Sequence, residues 1–246
     1  MKIVACCVGL VLSAAAMAVP RADRLAKVDA GGVMRWVDDG SEVALFGVNY
    51  YPPFSVDYKA IRQKGLDFSV VMREDVAHFR RLGLTCIRIH CFDTQFSTHD
   101  GAFVENHHVS VLDELIALCA SNGIYTVLTP IAWWGGTYAE DRSGFSNDYS
   151  MEEMTSNRSS WAIQARFLEE FGRHVNPFTG RRYADDPAIL CFELINEPLY
   201  PPNHADTQVT DYVNALADGL RASGTKKPVF YNSWQRSEER RVGKEC

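Results

Sequence analysis

The chain has 246 residues, of which 46% are hydrophobic, 23% charged and 11% aromatic. These proportions are typical of a soluble globular domain with a sizeable core, and they exclude a disordered chain, a collagen-like chain and a multi-span membrane protein. The formal net charge is −6. An acidic surface repels phosphate groups, so nucleic acid is not an expected partner.

The two ends of the chain differ from the rest of the sequence. Residues 1–18 combine Lys2, a short apolar run and a small-x-small site at Ala16–Ala18, which is typical of a secretory signal peptide. Arg236–Cys246 does not continue the preceding pattern and resembles translated sequencing adapter, so we interpret it as a non-native tail. We therefore predict a secreted or periplasmic protein, without a membrane partner after signal cleavage, whose single domain lies within residues 19–235.

Four cysteines lie between these ends, each in an apolar stretch: Cys86, Cys91, Cys119 and Cys191. Free cysteine is a common small hydrophobic residue, so we expect thiols rather than disulfides. The sequence has no CxxC spacing, and the histidines are not spaced as metal ligands. We predict neither a metal site nor a cofactor.

A β-hairpin is predicted at the start of the domain. Val33–Trp36 and Val43–Phe46 are short apolar runs on either side of Asp38-Asp39-Gly40, whose residues are typical of a tight hairpin turn. The second run continues into Gly47-Val48-Asn49-Tyr50, where the first strand of a larger sheet begins.

Helices and strands alternate after this point, with helix-ending glycine signals at residues 83 and 123. The predicted elements are, in chain order, helix Glu74–Leu82, strand Cys86–His90, a helix with apolar positions from Val111 to Cys119, strand Tyr125–Thr129, a loop over 132–156, a helix from Trp161 to Val175, strand Ile189–Leu194, a helix from Val209 to Leu220, and strand Val229–Tyr231.

This alternation predicts an α/β fold, with a parallel sheet covered by helices. Both a (β/α)8 TIM barrel and an open doubly wound sheet fit the pattern. Polar or aromatic residues follow the carboxyl ends of several strands, namely Asn49, His90, Trp133 and Asn196-Glu197. That placement is typical of the active-site rim of a barrel, and no glycine-rich phosphate loop follows the first strand. We therefore favour the barrel, with about five β/α units in this chain plus the N-terminal hairpin.

The segment most indicative of chemistry is the end of the strand at Ile189–Leu194, which continues as Ile195-Asn196-Glu197-Pro198. Proline cannot extend a strand ladder, so the carboxylate of Glu197 is left at the rim. A partly dehydrated carboxyl group keeps its proton to higher pH, which a general acid requires. The alternative is a structural strand-end glutamate paired with a nearby cation.

This segment, together with three others, resembles the clan A glycoside hydrolases, and most closely glycoside hydrolase family 5 of the cellulase and mannanase type. The other segments are Gly47-Val48-Asn49-Tyr50, Leu82-Gly83-Leu84-Thr85-Cys86-Ile87-Arg88-Ile89 and Tyr183-Ala184-Asp185-Asp186-Pro187-Ala188-Ile189. The resemblance implies a (β/α)8 barrel that binds carbohydrate and cleaves β-glycosidic bonds by a retaining two-carboxylate mechanism.

The resemblance also implies roles for three residues. Glu197 matches the acid/base, Asn196 the residue that hydrogen-bonds the sugar 2-hydroxyl, and Arg88 the arginine that holds the nucleophilic carboxylate. Glu193 shares strand parity with Glu197 but lies deeper, and we interpret it as an interior acid that pairs with Arg88. Strict alternation cannot turn Asn196 and Glu197 toward one sugar, so a bulge or twist is expected there.

Further residues are predicted to bind the substrate. Aromatic rings match the apolar faces of sugars, and the candidates for stacking are Trp133, Trp134, Tyr50 and Tyr51. Asn49 and His90 lie at strand ends beside Arg88, although a core histidine remains an alternative for His90. Asp93 follows on a loop and is expected to be solvated. Thr129–Trp134 lacks the histidine that family 5 often carries there, which leaves the substrate open.

The family's nucleophile is a second glutamate at the end of the seventh barrel strand, whereas only five strands are predicted here. We therefore expect the nucleophile to lie beyond the end of a C-terminally truncated chain, and the chain as given to be inactive. The alternative function is a non-catalytic carbohydrate-binding barrel. An unrelated open-sheet hydrolase would need a Gly-x-Ser-x-Gly elbow, and the sequence has none.

Overall fold

A computed structural model describes residues 21–50, 57–132 and 144–232 of the chain. The strands are β1 (Ala26–Val28), β2 (Met34–Trp36), β3 (Gly47–Asn49), β4 (Cys86–His90), β5 (Tyr125–Thr129), β6 (Val175–Asn176), β7 (Arg181–Arg182), β8 (Ile189–Glu193) and β9 (Val229–Phe230). The helices are α1 (Tyr58–Gln63), α2 (Phe68–Arg81), α3 (Asp93–Phe96), α4 (His107–Ser121), α5 (Met151–Ser156), α6 (Arg158–Arg173) and α7 (Asp206–Ala222), with a 3-10 turn at Phe145–Asn147.

The centre of the fold is a five-stranded sheet in the order β3-β4-β5-β8-β9. All four neighbouring pairs are parallel. Each strand is added beside the preceding strand of this sheet, always in the same direction. A doubly wound sheet reverses direction at a switch point, whereas a singly wound order with right-handed crossovers places the helices on one face, as in a barrel. The structure therefore confirms the predicted α/β class and shows part of a barrel, without closure among the described strands.

Alternate residues of the strands face opposite sides of this sheet. Ile87 and Ile89 of β4 are fully buried in the hydrophobic core, while Arg88 between them is partly exposed. The helices supply the other half of this core, with fully buried side chains such as Leu115 of α4 and Phe171 of α6. Burial of apolar surface between the two layers holds each strand end in place.

The helices begin where side chains cap their first turns. Asp67 accepts hydrogen bonds from backbone N–H groups at the start of α2, and Asn106 and Asn157 do the same for α4 and α6. Ser150 and Glu153 form a reciprocal capping box on α5. These caps satisfy N–H groups that have no partner within the helix, so they fix where each helix starts.

The N-terminal hairpin differs in part from the predicted one. β2 pairs with β1, an antiparallel strand that the sequence pattern did not predict. The turn before Gly40 is present, and Arg35 and Glu42 form a single antiparallel bridge across it. The predicted second strand Val43–Phe46 is not formed, and these four residues are irregular. It leads directly into β3, which is the first strand of the barrel sheet.

The four cysteines between residues 86 and 191 are buried and free, as expected from their apolar surroundings. Within the described ranges, no helix has both the length and the apolar character needed to cross a bilayer.

Candidate active site

Four neighbouring strands deliver polar side chains to the same end of the sheet. In the register of the sheet, Asn49 of β3 lies opposite Arg88 of β4, and His90 of β4 lies opposite Thr129 of β5. The segment after β8 lies beside the segment after β5, because the Asn196 backbone N–H donates to the Ile131 carbonyl oxygen at 2.9 Å. The predicted rim residues of β3, β4 and β8 are therefore close together.

Arg88 is at the centre of this cluster. Its Nε and Nη2 atoms donate to the two carboxylate oxygens of Glu193 at 2.5 and 2.8 Å. Nη2 also donates to Asn196 Oδ1 at 2.8 Å, and Nη1 donates to Asn49 Oδ1 at 3.2 Å. The guanidinium group is planar, so a two-point contact of this kind fixes its orientation as well as its position.

Glu193 is the buried partner of this arginine, as predicted. Its side chain is 7% exposed, against 23% for Arg88. Thr129 donates a further hydrogen bond to Glu193 Oε2 at 2.9 Å. Removing one partner of a buried ion pair typically costs about 3–5 kcal/mol, because the other charge is left without compensation. Loss of either partner is therefore expected to disturb the geometry of the site.

Asn196 presents a free donor in this site. The side chain is only 1% exposed, and its Oδ1 atom accepts from Arg88. Its Nδ2 atom has no hydrogen-bond partner within the described parts of the chain. A buried amide donor is costly to leave unmatched, so an acceptor oxygen of a bound ligand would be stabilised there.

Glu197 has an unusual backbone conformation. Its φ of 46° makes it the one non-glycine residue with positive φ among the residues that the structure describes. The left-handed region costs a residue of this kind on the order of 1–3 kcal/mol, and such strain is concentrated at functional sites. The turn breaks strand alternation directly after Asn196, which confirms the predicted twist. The side chain is half-buried.

His90 lies two residues after Arg88 on the same face of β4 and is only 3% exposed. Burial, together with the positive charge of Arg88, lowers the pKa of His90 to about 4, against the opposing effect of Glu193. The imidazole is thus neutral near pH 7, and it adds no positive charge to the site.

The stacking role predicted for Tyr50 needs correction. Its ring is 8% exposed and packs edge-to-face on Phe79 of α2, with 4.9 Å between ring centroids. Its hydroxyl donates to Asp75 Oδ2 at 2.6 Å, also on α2. The side chain therefore lies in the packing between sheet and helices. The remaining stacking candidates, Tyr51, Trp133 and Trp134, lie outside the described residues.

Asp93 was expected to be solvated, and this prediction was wrong. It begins the short helix α3 and is fully buried. One carboxylate oxygen accepts from the Ser146 backbone N–H at 3.2 Å, while Oδ1 has no partner among the described residues. Burial raises the pKa of Asp93 to about 6, against the opposing effect of its hydrogen bonds to Ser146.

Sequence reasoning also missed Thr129, although its position opposite His90 at the end of β5 was a usable signal.

Across the described residues, no three His, Cys, Asp or Glu side chains are grouped as a metal site would need.

Solved structures with the same fold include several that are described as mannanases or mannosidases. An endo-1,4-β-mannanase from Rhizomucor miehei superimposes with a TM-score of 0.61 at 17% identity, over 87% of this chain and 63% of that one. An exo-β-1,4-mannosidase from Opitutaceae bacterium strain TAV5 gives a TM-score of 0.63 at 16% identity, over 84% of this chain and 34% of that one. At this identity the likeness shows the fold alone.

A curated relative, mannan endo-1,4-beta-mannosidase A of Podospora anserina, is 27% identical over 111 residues. The match covers 43% of this chain and 28% of the relative, so the chain spans less than a third of that protein's length. The family model described as cellulase (glycosyl hydrolase family 5) matches residues 39–244, which is most of the sequence and extends into the segment interpreted as a non-native tail. Barrel topology, the Arg88 cluster and this match lead to one conclusion: the chain belongs to glycoside hydrolase family 5.

Proposed function

We propose that the protein is a secreted retaining β-glycosidase in which Glu197 is the acid/base residue. The strained left-handed backbone of Glu197, directly after a buried asparagine with a free donor, is the observation that supports this most strongly. The turn lets two consecutive side chains serve one sugar, which an extended strand does not allow.

In the proposed mechanism, Glu197 donates its proton to the leaving-group oxygen while a second carboxylate attacks the anomeric carbon and forms a covalent glycosyl-enzyme bond. The Glu197 carboxylate then removes a proton from the water that attacks the anomeric carbon and displaces the second carboxylate. Asn196 Nδ2 donates to the sugar 2-hydroxyl, an interaction that strengthens in the transition state. Positive charge develops on the sugar ring during this step, and a neutral His90 avoids opposing it.

The second carboxylate of the mechanism is proposed to come from a residue outside the described part of the chain. Glu193 does not suit the role, since Arg88 occupies both of its oxygens and its side chain is buried. A nucleophile in a retaining enzyme lies about 5–5.5 Å from the acid/base carboxyl group. Within the described residues, Arg88 Nη1 donates only to Asn49, so its other N–H group could hold such a carboxylate ionised.

The proposed substrate is a β-1,4-mannan or a derived oligosaccharide. This rests on the curated mannosidase relative and on the mannanase and mannosidase neighbours, together with a free donor at the position suited to a 2-hydroxyl group. Mannose carries that hydroxyl axially and glucose equatorially, so a panel of mannan, β-glucan and xylan separates the substrate classes. The alternative of a carbohydrate-binding barrel predicts binding of one of these polymers without turnover.

The acid/base assignment is tested with Glu197→Gln in the product of the complete gene. With an aryl glycoside whose leaving group needs protonation, we expect kcat/KM to fall by about 10²–10⁴-fold. With a dinitrophenyl glycoside, which needs no proton, the first step should be almost unaffected. Glu152→Gln, which changes an exposed glutamate of α5, is the matched control and should leave both rates unchanged. Unchanged turnover of the demanding substrate by Glu197→Gln would refute the assignment.

A further inference from the structure

We propose that Glu193 is a positioning residue, which acts through Arg88 on Asn196 and thereby decides which atom of Asn196 faces the sugar. The inference rests on the proposed function and extends it to a residue that does not touch the substrate. Glu193 lies within the sheet on β8, three residues before Asn196. Its influence therefore has to pass through the guanidinium group that both residues share.

The contacts form a continuous chain of hydrogen bonds. Both oxygens of Glu193 accept from Arg88, at Nε and Nη2, so the guanidinium plane is locked against the carboxylate. The same Nη2 atom donates its second proton to Asn196 Oδ1 at 2.8 Å. Thr129 donates a further hydrogen bond to Glu193 Oε2, the oxygen that also accepts from Arg88 Nε. With Glu193 in place, Arg88 has one orientation, and that orientation presents a donor to Asn196.

This donor selects one of the two possible orientations of the Asn196 amide. A guanidinium group has five N–H donors and no acceptor, so only the amide oxygen of Asn196 can face it. The amide nitrogen must then point the other way. Nδ2 does so, buried and without a partner within the described ranges. The site consequently offers a donor, rather than an acceptor, to the ligand oxygen beside the reacting bond.

Glu193→Gln is the most direct test, because it keeps the shape of the side chain and changes its hydrogen bonding. The glutamine amide has one acceptor, and its NH2 group would oppose an Arg88 N–H group. The guanidinium group is then free to turn, and Asn196 loses the contact that fixes its orientation. A misplacement of about 1 Å at a reacting centre can cost about a hundredfold in rate. We expect a loss of this size in kcat/KM on an aryl glycoside that carries the 2-hydroxyl group.

The substrate can show whether Glu193 acts by this route. On the matching 2-deoxy aryl glycoside there is no 2-hydroxyl to meet Nδ2, so the penalty of Glu193→Gln should shrink to within about threefold. In an Asn196→Ala background, the penalty should shrink in the same way, since coupled residues give non-additive effects. An equal loss on both substrates, or full additivity with Asn196→Ala, would overturn the proposal.

A loss of folding stability must be separated from a loss of positioning. Asp113→Asn is the matched control, since Asp113 is 2% exposed and pairs with His174 at 2.9 Å, outside the active site. It should lower the melting temperature without changing kcat/KM per folded molecule. If Glu193→Gln does not fold, Glu193→Asp retains the charge and one bond to Arg88, and should show a smaller loss with the same dependence on the 2-hydroxyl.

A second measurement does not depend on turnover. In the ligand-free protein, nuclear magnetic resonance detects the Arg88 Nε–H group and the Asn196 side-chain NH2 group. Glu193→Gln should shift both signals, whereas Asp113→Asn should shift neither. If the wild-type product of the complete gene hydrolyses no glycoside but the signals shift, the proposed function fails and the positioning role stands. If the Asn196 signals do not move, the positioning role is refuted even in an active glycosidase.

Discussion

At the scale of single residues, the site region contains two buried titratable groups whose effects on stability have opposite signs. The folded-state pKa of His90 lies below its usual value. Its contribution to the folding stability is present above pH 6.5 and is lost as the pH falls toward 4, because the unfolded state takes up a proton first. The folded-state pKa of Asp93 lies above its usual value. Its contribution to the folding stability is present below about pH 4 and is lost as the pH rises through about 6, because the unfolded state releases its proton first.

Asp93→Asn is therefore expected to stabilise the protein near neutral pH. At pH 7.5 the wild type holds an ionised, fully buried carboxylate, whereas asparagine is neutral and can still accept from the Ser146 N–H. A pKa change from 3.8 to about 6 corresponds to on the order of 2–3 kcal/mol. Denaturant unfolding should show a gain of this order at pH 7.5, which diminishes toward zero at pH 4.5.

The control for this prediction is Asp218→Asn, which changes an exposed aspartate on α7 and should alter stability at neither pH. A stability difference for Asp93→Asn that is the same at both pH values would contradict the electrostatic explanation. A loss of stability at pH 7.5 would show that the carboxylate makes a compensating contact.

At the scale of elements, the sequence was most informative where periodicity and chain-ending signals agree. Strands Cys86–His90 and Tyr125–Thr129 were predicted with the bounds that the structure shows, because each apolar run follows a glycine signal. α2 begins at Phe68, six residues before the prediction, where the side chain of Asp67 caps the first turn. The four-residue helix α3 is too short for periodicity to detect.

The candidate site shows the same division between local and long-range information. The motif around Asn196 and Glu197 can be recognised from consecutive residues of the sequence. The pairing of Glu193 with Arg88 was predicted from the parity of Glu193 along its strand. The orientation of the Tyr50 side chain could not be predicted from its position, because a side chain at a strand end turns toward the contacts that the neighbouring helix provides. In this protein, Asp75 and Phe79 of α2 provide a hydrogen bond and a ring contact for Tyr50.

α6 and α7 pack at close range, and Gly219 is one reason. A Cβ atom at this position of α7 would lie 2.6 Å from the Cα and carbonyl oxygen of Ala165 on α6. Gly219→Ala should force the helices apart, and overpacking of this kind typically costs about 1–3 kcal/mol. That cost exceeds the gain of about 1 kcal/mol that alanine brings to a helix. Thermal or denaturant unfolding measures the net loss.

Asn214→Ala, at an exposed position on the same helix, is the matched control for this prediction. It introduces the same residue without a neighbour to displace, so stability should change by no more than about 0.5 kcal/mol. Equal stability of Gly219→Ala and wild type would mean that the two helices can separate without loss of packing.

At the scale of the whole molecule, the order of the strands in the sheet explains both how the site is assembled and why the chain is prone to association. Strands added in one direction bring Asn49, Arg88, Thr129 and Glu193 into one hydrogen-bonded cluster across four strands. The same order leaves β3 and β9 with one neighbour each among the described strands. Their inner faces line an open groove of about 510 Å³ that includes Asn49, Arg88 and Phe230. Exposed strand edges beside apolar surface favour association between chains.

We therefore predict that the 246-residue chain, expressed by itself, is poorly soluble and lacks glycosidase turnover. The product of the complete gene should be soluble and should hydrolyse the glycoside. Exposed apolar residues lie at or beside both edges, with Phe46 64%, Val48 42% and Phe230 40% exposed. A lysine on an edge strand opposes pairing between chains, so Val48→Lys should raise the soluble fraction without creating turnover. Sedimentation and an aryl glycoside assay measure the two properties. A cooperative unfolding transition together with measurable turnover in the 246-residue chain would overturn the prediction.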